Sequence, residues 1–299
     1  MTSTRASAPP HPIYPILVLL CASTLWGLTW IPLKHFAAHG LHGVTVALVA
    51  HGSVCALAIP WLARHRQELR GQLTALLLLA GFGGVSNLSF VTAVASGDVV
   101  RVMVLFYLLP AWGVIGGRVV LGERIDGRRG FSVVCALGGA RLVLGGFHVF
   151  ASPPTLIDGL AVLAGMMLAF QNIAFRKFDE LGISIKIAVV FVGCFACAAV
   201  LSALGVAPIP AKVPPVIWTE VVAFGLVWLL LASIGTLWGV AHMEAGRSSI
   251  LIIMELVTAV VSAALLSSRS LSLLEWLGGG LIILAALLEA WRPGESGAK

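Results

Sequence analysis

One carboxylate stands alone in a long apolar run: Glu255, within "SSILIIMELVTAVVSAALL". An acid or base at the centre of a membrane-spanning helix costs about 2.5–3.5 kcal/mol or more, so such a group needs an occupation. A bundle-internal hydrogen bond would do. So would the binding of a substrate amine, or an exchangeable proton whose affinity rises as the carboxyl is desolvated. Arg141, in "LGGARLVLGG", is flanked by small residues that leave its long side chain room either to reach inward or to snorkel. Neutral groups able to orient a ligand lie at middle depths of other apolar runs: Trp26, Thr29, Asn87, Tyr107, Trp112, Gln171 and Asn172. Hydrogen bonding between helices would account for the amides equally well. Together these residues describe a mostly apolar pocket with a few fixed polar groups, the usual construction of a small-molecule site.

Other chemistries lack their residues. No nucleophile and base are visible together, no H-E-x-x-H spacing occurs among the eight histidines, and no G-x-x-x-x-G-K-[ST] loop is present to cradle nucleotide phosphates. Cys21, Cys55, Cys135, Cys194 and Cys197 all fall in apolar segments, where cysteine is a small packing residue. Cys194 and Cys197 form a C-x-x-C without a second ligand pair. The expectation is therefore no enzyme, no metal and no cofactor.

The elements that position these groups follow from composition. With 59% hydrophobic residues, 11% charged residues and a mean hydropathy of +1.01, the 299-residue chain has too little charge for a hydrated surface and reads as an integral membrane protein. Ten apolar windows near the length of a membrane-crossing helix fall near 13–33, 42–63, 72–94, 99–120, 130–150, 156–175, 184–206, 217–241, 248–267 and 272–291. Turn and charge signals such as "ARHRQELRGQ", "LGERIDGRRG" and "APIPAKVPP" separate them. Without a sustained alternating pattern, a β-barrel is excluded. If the N-terminus is cytoplasmic, one side collects Arg5, Arg64, Arg66, Arg70, Arg118, Arg124, Arg128, Arg129, Arg176, Lys177, Lys186, Arg247, Arg292 and Lys299. The other keeps Lys34, Lys212 and Arg269. The positive-inside rule then predicts both termini in the cytoplasm. The same bias, facing anionic lipid, explains the net charge of +6 without nucleic acid. The first window is too long for a signal-peptide core and has no small-residue cleavage site after it, so it is expected to remain as a helix.

The windows repeat. "SGDVVRVMVLFYLLPAWGVIGGRVVLGERI" and "AGRSSILIIMELVTAVVSAALLSSRSL" each open on a small-residue turn and run apolar to a charged stop. Pro110 stands as far before Glu123 as Leu256 stands before Arg269. The expected fold is all-α, with ten transmembrane helices as two five-helix inverted repeats, 13–150 and 156–291, around a central cavity. Tails 1–12 and 292–299 are cytoplasmic. An odd number of helices per half inverts one half relative to the other, as in secondary transporters.

"TLWGLTWIPLK", "YLLPAWGVIGGRVVLGER", "DGLAVLAGMMLAFQNIAFRK" and "HMEAGRSSILIIMELVTAVVSAALL", in this order, resemble the EamA branch of the drug/metabolite transporter superfamily over nearly the whole chain. The resemblance implies a ten-helix inner-membrane carrier of small metabolites, often an exporter, and places Lys34 near the pore mouth. The second half departs from the family pattern. Glutamate-proline reads Glu255-Leu256 here, and glycine-glutamate reads Ser268-Arg269, so equal mechanical roles for the two repeats are not expected.

Pro110 predicts a bend between Phe106 and Pro110, serving either as a hinge or as static shape. Glu123 and Arg124 mark the cytoplasmic end of that helix. Arg101 is expected to pair with Asp98 at i,i+3, and Lys34 to snorkel outward. The functional expectation is alternating-access transport of an amino-acid-like or other amphipathic metabolite, with a structural or lipid-handling membrane protein as the alternative. The partners are a small-molecule substrate and membrane lipid. A monomer suffices to enclose one cavity, and larger assemblies stay open.

Overall fold

A computed structural model describes residues 13–122, 127–143, 154–207, 209–210, 212–243, 248, 251–266 and 272–290. The expected stops Glu123, Arg124, Ser268 and Arg269 and both tails lie outside the described residues. Within them the regular structure is helical: α1 Ile13–Ala38, α2 Gly43–Arg64, α3 Leu73–Ser96, α4 with limbs Val99–Phe106 and Leu109–Leu121, α5 Gly127–Val143, α6 Leu156–Lys177, α7 Ile183–Ala203, α8 Pro215–Ala241, α9 Met254–Leu266 and α10 Leu273–Ala290. Seven of these, α1 to α4 and α6 to α8, are long and apolar enough to cross a membrane. Shorter apolar helices occupy Gly130–Leu142, Met254–Leu266 and Leu273–Ala285.

Leucine and valine face both inward and outward. Leu79 and Leu105 are buried, while Leu57, Leu77, Val119 and Leu265 are exposed on helix faces. A helix apolar all round has hydrocarbon rather than water outside it. At several crossings glycines such as Gly27, Gly165, Gly193 and Gly225 let neighbouring helices approach closely, which is how bundles associate where no hydrophobic force acts between helices.

Most of the larger pairings obey a simple exchange. Swapping the first five helices for the last five carries α3 against α6 onto α8 against α1, α4 against α6 onto α9 against α1, and α3 against α7 onto α8 against α2. It leaves α2 with α7, α4 with α9 and α5 with α10 unchanged.

Three helices are interrupted. In α1 the break falls at Thr29, three residues before Pro32, and in α4 at Tyr107 and Leu108, just before Pro110. Proline has no N–H and clashes with the carbonyl four residues earlier, so both breaks are local consequences of sequence. The carbonyl that Pro110 frees, that of Phe106, is buried against Gly165 of α6. A Cβ there would lie 2.1 Å from the Phe106 oxygen. A glycine Cα–H facing a freed carbonyl is a weak partner, but it keeps the group out of lipid. The third break, at Ile253, separates the helical residues Leu251 and Ile252 from the main limb of α9, Met254–Leu266; it lies three residues before Leu256 and has no proline. The mid-α8 segment Phe224–Leu229 is π-helical.

Candidate functional site

The seam of α1 with α8 and α9 is stitched by indoles. Trp26 Nε1 donates to Thr236 Oγ1 (3.2 Å), and Trp30 Nε1 to Ser262 Oγ (2.9 Å). From the π-helical segment, Trp228 Nε1 reaches back to the Leu25 carbonyl (3.1 Å) and to Thr29 Oγ1 (3.2 Å). An indole N–H at membrane depth needs an acceptor. The break at Thr29 supplies one, because its hydroxyl is fully buried beside the Leu25 carbonyl, to which it donates (2.9 Å).

Next to this seam lies the carboxylate. Gly27 of α1 lets the backbone of α9 approach: a Cβ on Gly27 would stand 2.6 Å from the Glu255 carbonyl oxygen and 2.7 Å from Thr258 Cβ. The half-buried Glu255 side chain meets the hydroxyl of Tyr107, which comes from the break in α4 and is itself buried. Tyr107 Oη donates to the Ile252 carbonyl oxygen (3.4 Å), and the Leu256 N–H and the Glu255 carboxyl lie near it. A carboxyl beside a phenol, only partly enclosed, can hold an ammonium group or a proton.

Two other sequence candidates assemble elsewhere, between α3 and α6. Asn87 Nδ2 donates to the Gly83 carbonyl (2.9 Å). A Cβ on Gly83 would lie 2.8 Å from Gln171 Oε1, so both amides converge on that glycine. Gln171 is buried, and its Oε1 has no hydrogen-bond partner. Trp112, in the second limb of α4, has a buried indole N–H with no partner. Asn172 is exposed, because adjacent residues of a helix point to different sides. Arg141 is exposed in the last turn of α5. The nine candidates thus divide: Trp26, Thr29, Tyr107 and Glu255 adjoin one seam, Asn87 and Gln171 share another, and Trp112, Arg141 and Asn172 stand on α4, α5 and α6 apart from both groups.

Charged groups at the helix ends revise one expectation. Asp98 caps α4 by accepting the Arg101 backbone N–H (3.0 Å). The Arg101 guanidinium crosses instead to Asp158 of α6, with Nε 2.6 Å and Nη2 2.8 Å from its carboxylate oxygens. A neighbouring helix thus offers the guanidinium a bidentate partner of fixed geometry, with the Asp98 charge also acting on it. Lys34 Nζ donates to the carbonyls of Ala95 and Gly97, satisfying the orphan acceptors at the end of α3. Asp158 was not singled out from sequence, though "TLID" carries the spacing of a capping box, and the box with Thr155 is present. Trp228 and Pro32 were missed as well. Each is an irregular residue well inside an apolar run, the same signal that marks Trp26 and Pro110. Among the described residues no group of three metal-ligating side chains gathers.

Apolar outer faces, helices long enough to span a bilayer and two exchangeable sets of pairings define a multi-pass α-helical membrane protein with an internal repeat. The family profile of EamA-like transporters matches residues 13–145 and again 155–290, and the chain belongs to that family. It is thus a member of a family of membrane transporters rather than of enzymes. No curated protein matches. Among solved structures, one titled only as the crystal structure of a protein is similar in fold, with a TM-score of 0.60 at 16% identity, over 92% of this chain and 96% of that one.

Proposed function

We propose that this protein is a secondary carrier that moves a small metabolite by alternating access between two inverted five-helix halves, 13–150 and 156–291. The exchange symmetry of the pairings supports that plan, because two homologous halves with an odd number of crossings each insert in opposite directions. Ten crossings follow if α5, α9 and α10 span the bilayer along with the seven longer helices. Arg64, Arg118 and Arg176 then emerge near the ends of even-numbered helices on one side, which the positive-inside rule makes cytoplasmic, with both termini there and the chain in an inner or plasma membrane.

The observation that carries the reading is the meeting of Tyr107 and Glu255. A carboxyl is held by a phenol where the interruptions of α4 and α9, helices of different halves, come together. Discontinuous helices facing each other across a repeat interface are the usual frame of a transporter's binding site. The carboxyl suits a cationic group on an otherwise amphipathic substrate, amino-acid-like compounds included, and Trp26, Thr29 and Trp112 supply apolar and hydroxyl contacts. Pro110 serves as the hinge of this site, Asn172 and Arg141 face the permeation path at other depths, and Asn87 and Gln171 hold the packing seam beside it. Energy comes from an ion or substrate gradient, and export is the expected direction. The test is a panel of amino acids, nucleosides, sugars and cationic amphiphiles offered to proteoliposomes. Saturable flux of a compound bearing an amino group is expected. Absence of flux for every class, from protein that remains monodisperse, would refute the carrier reading.

A further inference from the structure

The interruption of α9 has no cause in its own sequence. In α1 and α4 each break precedes a proline that lacks the N–H for the missing rung, and in α9 the corresponding residue is Leu256, which has one. With its side chain fully buried, Leu256 is an ordinary helix former, yet Ile253 is non-helical and the first rung across the break is Val257 N–H to Ile253 carbonyl (3.2 Å). The rung one step earlier would run from the Leu256 N–H to the Ile252 carbonyl. The two ends of that rung are neighbours of one foreign atom, Tyr107 Oη: it lies 3.4 Å from the Ile252 oxygen and has the Leu256 N–H beside it. A hydroxyl can donate to the carbonyl and accept from the amide at once, and insertion of a side chain into the backbone ladder is a recognised cause of a helix break.

The geometry points to Tyr107 as a positioning residue that wedges α9 open from α4, doing with a hydroxyl what Pro110 does in α4 by covalent structure, and thereby sets the direction of Glu255. The consequence is an asymmetry of reversibility. A proline break is permanent. A break held by a hydroxyl closes when α4 withdraws, so that α9 is interrupted only while the α4–α9 contact is made. Glu255 sits between Met254 and Leu256 on the turn that the wedge distorts, so its direction is set by whether the hydroxyl is in place.

This inference rests on the carrier reading for its flux measurement but not for its structural one. Tyr107→Phe keeps the ring and removes the hydroxyl. Amide hydrogen exchange in detergent micelles should show slower exchange across 252–257 in this variant, at least several-fold, as the rung closes. Flux should fall about tenfold, with a changed pH profile, and Tyr107→Phe combined with Leu256→Pro should restore most of it by making the break permanent. Leu256→Pro alone serves as a second arm that does not depend on the Tyr107 variant folding. Leu256 is the third residue of α9, a first-turn position where proline is tolerated. This variant should therefore melt within a few degrees of Leu256→Ala, whereas Val260→Pro, inside the continuous part of the helix, should abolish folded protein. Unchanged exchange in Tyr107→Phe, or Leu256→Pro as damaging as Val260→Pro, would overturn the wedge even if no substrate is known. Flux that falls in Tyr107→Phe but is not recovered in the folded double variant would overturn the positioning role while leaving the carrier reading standing.

Discussion

The seam of α1 with α8 and α9 and the seam of α6 with α3 and α4 exchange into each other when the two halves are swapped, yet their chemistry has diverged. The first is held by side-chain hydrogen bonds from Trp26, Trp30 and Trp228 and contains the carboxyl of Glu255. The second is held by close backbone approach, with Gly165 under the Phe106 carbonyl, Ser86 Oγ donating to the Ala164 carbonyl (2.9 Å), and a bidentate ion pair at its end. A duplicated architecture thus divides its labour. One copy of the seam is built to be polar inside, where a substrate can compete for hydrogen bonds. The other is built to pack, where competition would only loosen it.

Substitutions can break this contrast. The largest effect is expected at Gly165→Leu. Any Cβ there collides with backbone rather than with a movable side chain, and overpacking of this kind commonly costs about 1–3 kcal/mol and occasionally more. Loss of monodisperse protein on size-exclusion chromatography is the predicted result. Normal yield would show that the second seam is as adaptable as the first. Next comes Asp158→Asn, which leaves the Arg101 guanidinium without its carboxylate. Breaking a buried pair costs about 3–5 kcal/mol, but the Arg101 side chain is 27% exposed, so roughly half that is expected as a lowered melting temperature. A small loss that shrinks further in high salt would identify a surface-like pair.

On the first seam the effects should be smaller and shift toward function. Trp228→Phe removes one N–H from two acceptors and should cost about 1 kcal/mol in stability while changing flux several-fold. A purely thermal effect, with flux per folded molecule unchanged, would make that seam structural like its counterpart. The smallest effect is expected at Gln171→Leu. Its Oε1 is buried without a partner, so an apolar replacement of similar size should leave the melting temperature unchanged or raise it slightly. If flux is lost at unchanged stability, the amide is a substrate contact and the second seam carries chemistry after all.

Much of this was legible in the sequence, and the parts that were not share a cause. Helix positions and the break before Pro110 depend on properties of single residues in an apolar run, which a linear reading captures, and Glu255 stands out in the sequence for the same reason. The partner of Arg101 was misread because Asp98 is adjacent in sequence while Asp158 is adjacent only once α4 and α6 pack. A linear reading groups the polar candidates by depth and cannot assign them to the two seams. Asn87 and Gln171 are at similar depth to Trp26 and Thr29 but on helices of the other set. The break in α9 could not be anticipated from the segment itself, since Leu256 carries the N–H that a proline would lack and the interrupting atom arrives from a residue in the opposite half.

The central claim, that the chemistry of a duplicated carrier is concentrated at one carboxyl, is tested most directly at Glu255. Glu255→Gln preserves size and hydrogen-bonding capacity while removing the charge and the exchangeable proton. Wild-type and variant proteins are reconstituted at equal density in proteoliposomes, and flux of an amine-bearing substrate is followed with and without an imposed pH gradient. The account predicts that the variant folds with an unchanged melting profile and loses flux at least tenfold, or retains flux that no longer responds to the gradient. Flux and pH response equal to wild type would contradict it, reducing Glu255 to a structural hydrogen bond.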